Sequence, residues 1–468
     1  MKKLTLFLIA TMLFLAACTT ADTPIATTPA GGGTTATAPA DTAGTGDVVD
    51  TGGHPILDAG NITLSFSWWG NDARADAMEA SFRLFESYYP NVTIVSNTGP
   101  WDGWQQAILV NLSAGTEADI LQVNYPWVHN FGQGSNVFLD LDTVSHILDL
   151  SEWSEEMLNF MRTADGQLSA VPHGMNGHFL MYNRAAINEL GLDRFPETLE
   201  EFIEFGRELA ADNVALDFAG ENRYLAFIAA EVLDNILHNI IFNATGNTFF
   251  VGNELGFTFE DAVNAYELFV TMWEYNLIPT IQQDEGIPIQ HNPAWLDGRA
   301  LSAFIWVSTF FVVEDGYEGG PGTVDDLYVA VWPGPAGTPG VVLQRPTMGH
   351  AISANTQHPE AAAYFLNWFY TNEDAISAIG SVLGLPGANT ASIVAEREGL
   401  ISGNTLVGAE MLQNVRSGPI HHFFEDENFR QPRHIIMEQL ALGIITATEA
   451  AQLLLDSQNE QLANIANN

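Results

Sequence analysis

The sequence predicts a mixed α/β fold, and three stretches near the start of its folded body carry that reading. Ile62, Leu64, Phe66 and Trp68 alternate with Thr63, Ser65 and Ser67, which is the period of a strand. Met78, Phe82, Phe85 and Tyr89 then recur at helical spacing, with Asp72 placed to cap a helix from Ala73 and Pro90 to end it. Residues 92–95 and 118–123 read as two more strands. The helix between them carries Trp104, Ile108 and Leu112 on one face and closes near Gly115. Strand, helix, strand, helix, strand is a parallel α/β unit, with right-handed connections expected.

Ahead of that body stands a different kind of sequence. Lys2 and Lys3 precede an apolar run, Leu4 to Leu15, that is too short to span a bilayer as a mature helix. A basic start, an apolar middle and small residues at the end make a secretory signal, expected here over residues 1–17. Leu15-Ala16-Ala17-Cys18 resembles the lipobox of bacterial lipoproteins. That resemblance implies cleavage before Cys18 and a diacylglycerol on its thiol. Cys18 is the single cysteine of the chain, so no internal disulfide is possible. Residues 18–60 are rich in Thr, Ala, Gly and Pro without periodicity, and read as a flexible tether reaching ~35 Å.

Charge excludes several function classes. The formal net charge is -42, from 15 basic and 57 acidic residues. Such a surface repels nucleic-acid phosphates, so no nucleic-acid partner is expected. After Lys3 every basic residue is an arginine. That removes the P-loop lysine, the kinase lysine and the Schiff-base lysine. Arginine also keeps its charge near pH ~10.4, where lysine loses it, which predicts a protein suited to alkaline or saline surroundings. With 47% hydrophobic residues the chain can still bury a core.

In an open α/β sheet, ligands bind beyond the carboxyl ends of the strands. There the sequence places Trp68-Trp69-Gly70-Asn71, then Asn97 to Trp101, then Asn124-Tyr125-Pro126-Trp127. Each end sets tryptophan beside asparagine or glycine. A loop indole next to amides suits the C–H face and hydroxyl rim of a sugar. Other constellations are weaker. His421-His422 with Glu425 and Asp426 lacks the spacing of a metal motif, so no metal or cofactor is expected. Asp140/Asp142 and Asp325-Asp326 read as solvated acids in a chain with 57 of them.

The order of these segments resembles the extracellular solute-binding lipoproteins of ABC transporters, of the carbohydrate-uptake type (family 1). SWWGNDARADAMEASFRLFESYYPNVTI resembles that family's first strand, helix and second strand. WDGWQQAILVNLSAGTEADILQVN resembles the aromatic–helix–Gly–Asp–strand segment that follows. QLSAVPHGMNGHFLMYNRAAINELGL and VWPGPAGTPGVVLQRPTMGHAIS resemble its two crossings between lobes. WLDGRALSAFIW departs from the family's usual lysine with Gly298-Arg299.

The resemblance implies a two-lobed periplasmic-binding-protein-like α/β fold of type II, with a ligand cleft between lobes joined by a hinge. Lobe one is expected over residues 61–172 and 334–387, and lobe two over residues 173–333 and 388–468. It implies a ligand site of Trp68, Trp69, Asn71, Asp72, Trp101, Asn124 and Trp127 from lobe one. His173, Asn176, Trp306, Gly349, His350 and Phe423 are expected to face them, with Phe424 and Arg345 nearby. The expected protein is a monomeric, non-enzymatic binder of a neutral sugar or oligosaccharide. It would sit lipid-anchored on the outer face of the cell membrane, extracellular or periplasmic, and deliver its ligand to the permease subunits. Two alternatives stay open. A peptide or polyamine binder would turn Asp72 and Asp102 toward the ligand. A surface glycoside hydrolase would need paired carboxylates at a strand end.

Overall fold

A computed structural model describes residues 60–70, 72–100, 103–132, 137–211, 217–218, 221–283, 286–315, 317 and 322–466. Cys18, the tether through residue 59, Asn71, Trp101 and Asp102 lie outside the described residues.

The described chain builds two five-stranded sheets, each wrapped by helices. β1 (Ile62–Trp69) runs parallel to β2 (Val92–Gly99) and to β3 (Ile120–Val123). The connections are α1 (Asp72–Tyr88) and α2 (Trp104–Ala114). Gly115 ends α2 at φ 64°, a left-handed cap that glycine adopts without strain. Strand Gly349–Ile352 then pairs antiparallel with β3 and with β4 (Val171–Pro172), completing the first sheet. Its core is aromatic: the Phe66, Phe82, Phe85 and Phe365 rings pack tilted or edge-to-face with centroids 5.0–6.0 Å apart where those pairs touch.

The second sheet is organised around β5 (Met175–Asn183). Strands Ser302–Trp306, Leu327–Ala330 and Val342–Pro346 all pair antiparallel with it, and Ser417–Pro419 joins Val342–Pro346 in parallel. Helices Leu233–Thr245, Phe259–Glu274, Glu427–Ala441 and Ala447–Ala466 supply the other half of that core. No helix among the described residues is long and apolar enough to cross a membrane.

The expected lobe bounds need two corrections. Val342–Pro346 hydrogen-bonds into the second sheet, so the chain leaves that sheet after Pro346 and not at residue 334. Ala388, Ala391 and Val394 pack into the first core, so helix Asn389–Glu398 belongs with the first sheet, although residue 388 was expected to open lobe two. The strands that cross between the two bodies are tied to each other. His173 N donates to Met348 O at 2.8 Å, Thr347 N to Gly174 O at 2.9 Å, and Gly387 N to His173 O at 2.6 Å. A side chain at Gly174 would put its Cβ 1.7 Å from Leu385 O, so only glycine allows this approach.

Candidate ligand-binding site

A cavity of about 350 Å³ opens between the two bodies, beyond the carboxyl end of β3. The sequence reading treats the residues after β3 as a loop. The structure makes them a helix instead, α3 (Tyr125–Gly132). Asn124 Oδ1 accepts from Tyr125 N at 3.0 Å, and Pro126 sits in the first turn, where its missing N–H is harmless. α3 thereby carries Trp127 and Asn130 to the cavity wall, next to Asn124. The start of α2 adds Gln105 and Gln106.

The opposite wall comes from the second body. Trp306 ends its strand and meets the cavity with Val232, Phe424 and Asn235. Five amide side chains, Gln105, Gln106, Asn124, Asn130 and Asn235, therefore share the cavity with the indoles of Trp127 and Trp306. Charged groups are more numerous than the sequence reading anticipates. Asp234, Glu425, Asp426 and Glu427 line the wall with Arg345 and Arg430. Most of this charge is already partnered. Arg345 Nε donates to Glu425 Oε1 at 2.6 Å. Arg433 Nη2 donates to Asp234 Oδ2 at 2.9 Å, while Asn130 Nδ2 donates to Asp426 Oδ2 at 2.7 Å.

Of the expected site residues, Asn124, Trp127 and Trp306 line this cavity, as does Arg345. Trp69 stands behind Trp127, with ring centroids 5.4 Å apart. The others among the described residues are elsewhere, for physical reasons. Trp68 shares the strand parity of Ile62, Leu64 and Phe66, so it is fully buried, and its Nε1 donates to Ser96 Oγ at 3.0 Å. Asp72 is an exposed first residue of α1. His350 is fully buried, with Nδ1 2.6 Å from Tyr370 Oη and Phe66 packed edge-on against its ring. Gly349 is a core glycine whose Cβ would meet Val171 O at 2.9 Å. His173 is buried beside His350, and burial pushes its imidazole down to about 3. Asn176 is bound within the second body, donating to Ser308 Oγ at 2.9 Å. Phe423 stacks on Phe429 inside the second core, and it is Phe424 that reaches the cavity.

Neither indole offers the sugar a free face on both sides. Trp127 is only 2% exposed, held by Trp69 and Phe131. Trp306 packs on His178 at 3.5 Å and carries the Arg345 guanidinium 4.5 Å from its ring centre. The indoles are walls of the cavity, already backed by protein. Asp234, Asn235 and Arg430 were missed altogether. No local signal in the sequence points to them, because Asp234 and Arg430 lie far apart in the chain and meet only in the fold. Among the described residues no cluster of three or more His, Cys, Asp or Glu is arranged to hold a metal.

Solved structures share this architecture. A periplasmic solute binding protein from Pectobacterium atrosepticum superposes with TM-score 0.76 at 19% identity, covering 86% of this chain and 99% of that one. A periplasmic oligogalacturonide binding protein from Yersinia enterocolitica, in complex with saturated digalacturonic acid, gives TM-score 0.75 at 19% identity over the same shares. A cyclic alpha-maltosyl-1,6-maltose binding protein from Arthrobacter globiformis gives 0.67 at 17%, covering 86% of this chain and 100% of that one. At such identities the likeness shows the two-lobed fold. The sequence itself matches the family described as bacterial extracellular solute-binding protein over residues 68–376, more than half of its length, and the chain belongs to that family, the solute-binding proteins of ABC importers.

Proposed function

We propose that this protein is the lipid-anchored receptor of an ABC importer that holds a neutral sugar of one or two rings between its lobes and passes it to the permease. The observation that carries this reading is the wall of five amides set beside two indoles in one cavity. Amides donate to and accept from hydroxyls without charge, and the partly exposed Trp306 indole can cover the apolar C–H surface of a pyranose. At about 350 Å³ the cavity sits at the small end of ligand sites, roughly 300–1,000 Å³, which favours one or two rings over a long chain. Two of the similar structures are oligosaccharide-binding proteins, which supports the sugar class. A polyamine is disfavoured because Asp234 and Glu425 already face arginines and Asp72 is not among the residues that line the cavity.

The test is a thermal-shift screen with neutral mono- and disaccharides, galacturonate, spermidine and short peptides. A ligand at a hundred times its Kd stabilises the folded state by about 2.7 kcal/mol. A rise in melting temperature with a neutral sugar is expected. A rise with spermidine or peptide alone would sink the reading.

The anchor is part of the same proposal. Cys18 follows a basic and apolar lead-in and is the one thiol available. Two acyl chains anchor stably where one is marginal. Mass spectrometry of the native N-terminus is expected to show a diacylglyceryl adduct, and Cys18→Ser to release the protein into the soluble fraction. A serine variant that stays equally membrane-bound refutes the anchor.

A further inference from the structure

One edge of the cavity is a seam at which the two bodies touch. His129 on α3 lies face to face with His422, their ring centroids 3.9 Å apart and their planes 11° from parallel. His422 stacks in turn on His421 at 4.3 Å and 26°. Beside this column runs the Asn130–Asp426 hydrogen bond. We infer that the imidazole column is an acid-released latch: neutral, it holds the lobes together, and protonated, it lets them part.

The reason is electrostatic. Two neutral rings at this spacing gain contact, whereas two imidazolium rings under 4 Å apart repel in a poorly solvated seam. The rings themselves bond only to neutral groups, and the negative charge nearby is that of Asp426, held by amides, and of Glu427 on the cavity wall. His129 Nε2 shares a hydrogen bond with Phe160 O at 3.1 Å, and Tyr125 packs edge-on against the ring. His421 Nδ1 accepts from Phe423 N at 3.3 Å. Of the charged groups near the column, Arg345 and Glu425 are paired with each other. Asp426 is engaged by Asn130 and by Asn428 N. From helix Leu233–Thr245 the neighbour is His238, itself buried. Among the described residues no ion pair joins a carboxylate to the column.

Burial lowers His129 and His421 to about 4, and burial with the two neighbouring rings lowers His422 to about 2. Parting the lobes returns the seam to water, where an imidazole titrates at ~6.5. Above that pH neither state takes a proton and closure is unaffected. Between about pH 6.5 and pH 4 the open state binds protons that the closed state refuses. Closure then weakens about tenfold per pH unit for each proton taken up.

The inference rests on the two-lobed reading but not on the identity of the ligand, so it is tested without one. The full chain carrying Cys18→Ser is compared with its His129→Phe/His422→Phe variant, which keeps flat rings and removes the protons. Small-angle X-ray scattering is recorded at pH 7.5 and pH 5, with circular dichroism to exclude unfolding. The radius of gyration of the parent is expected to rise at pH 5 and that of the variant to stay constant. If the double variant does not fold, His129→Phe alone is expected to reduce the rise. An unchanged parent, or equal expansion of parent and folded variant, overturns the latch.

Discussion

Asp234→Ala is expected to destabilise the fold by about 3–5 kcal/mol, because it strands a buried cation. Arg433 is fully buried and its Nη2 donates to Asp234 Oδ2 at 2.9 Å. The rest of its hydrogen bonds go to neutral groups: Phe424 O, Phe429 O at 3.1 Å and Gln458 Oε1 at 3.3 Å. Its guanidinium also lies 4.1 Å from the centre of the Phe424 ring. Arg430 and His434 approach the same carboxylate at 3.9 and 3.7 Å. Burial by itself would raise the carboxyl, yet His434, Arg433 and Arg430 together hold it well below the usual range. A depressed carboxylate stabilises above its unfolded value of ~3.9 and loses that contribution as the pH falls through the folded value. Urea unfolding at pH 7 is therefore expected to show the full loss. Parent and variant are expected to converge only in strong acid. Asp234→Asn, which keeps the shape and an acceptor oxygen, should fall between them. Equal stability of parent and alanine variant would mean that the pair is not what holds helix Leu233–Thr245 against helix Glu427–Ala441.

The parallel half of the fold is legible in the sequence because its periods are undisturbed. Apolar and polar residues alternate from Ile62 to Trp68, and Pro90 and Gly115 stop the two helices close to where the structure stops them. The same alternation should have placed Trp68 in the core, since it shares the parity of Phe66. Its position at a strand end suggested ligand contact, but the pleat decided its direction. The segment after β3 misled for a different reason. Asn-Tyr-Pro reads as a turn, yet asparagine and proline are also what begins a helix. His173, His350 and Gly349 were drawn to the site by the family resemblance, while their surroundings are the packed crossings. The charged wall was least legible. Asp234, Glu425 and Arg430 come from segments about 190 residues apart, and no local pattern pairs them.

Trp306→Ala is expected to weaken binding of the sugar found by the screen about thirtyfold, or ~2 kcal/mol, with little loss of fold stability. The side chain is only partly buried, at the end of an edge strand, and its ring forms cavity wall. Removing it takes away the aromatic surface and also frees Arg345, whose guanidinium lies 4.5 Å from the ring centre. The freed arginine is still held by Glu425 and by Pro346 O at 2.7 Å, so the second body is expected to keep its shape. Trp127→Ala makes the instructive contrast. That indole is nearly inaccessible and packs between Trp69 and Phe131. Its loss is expected to cost about 3–5 kcal/mol of stability, as for other buried tryptophans. Calorimetric titration of Trp306→Ala, beside urea unfolding of both variants, separates the roles. Unchanged affinity in a folded Trp306→Ala would move the sugar off this wall. It would leave the amides of α2 and α3 as the contacts to examine, because they line the same cavity from the other lobe.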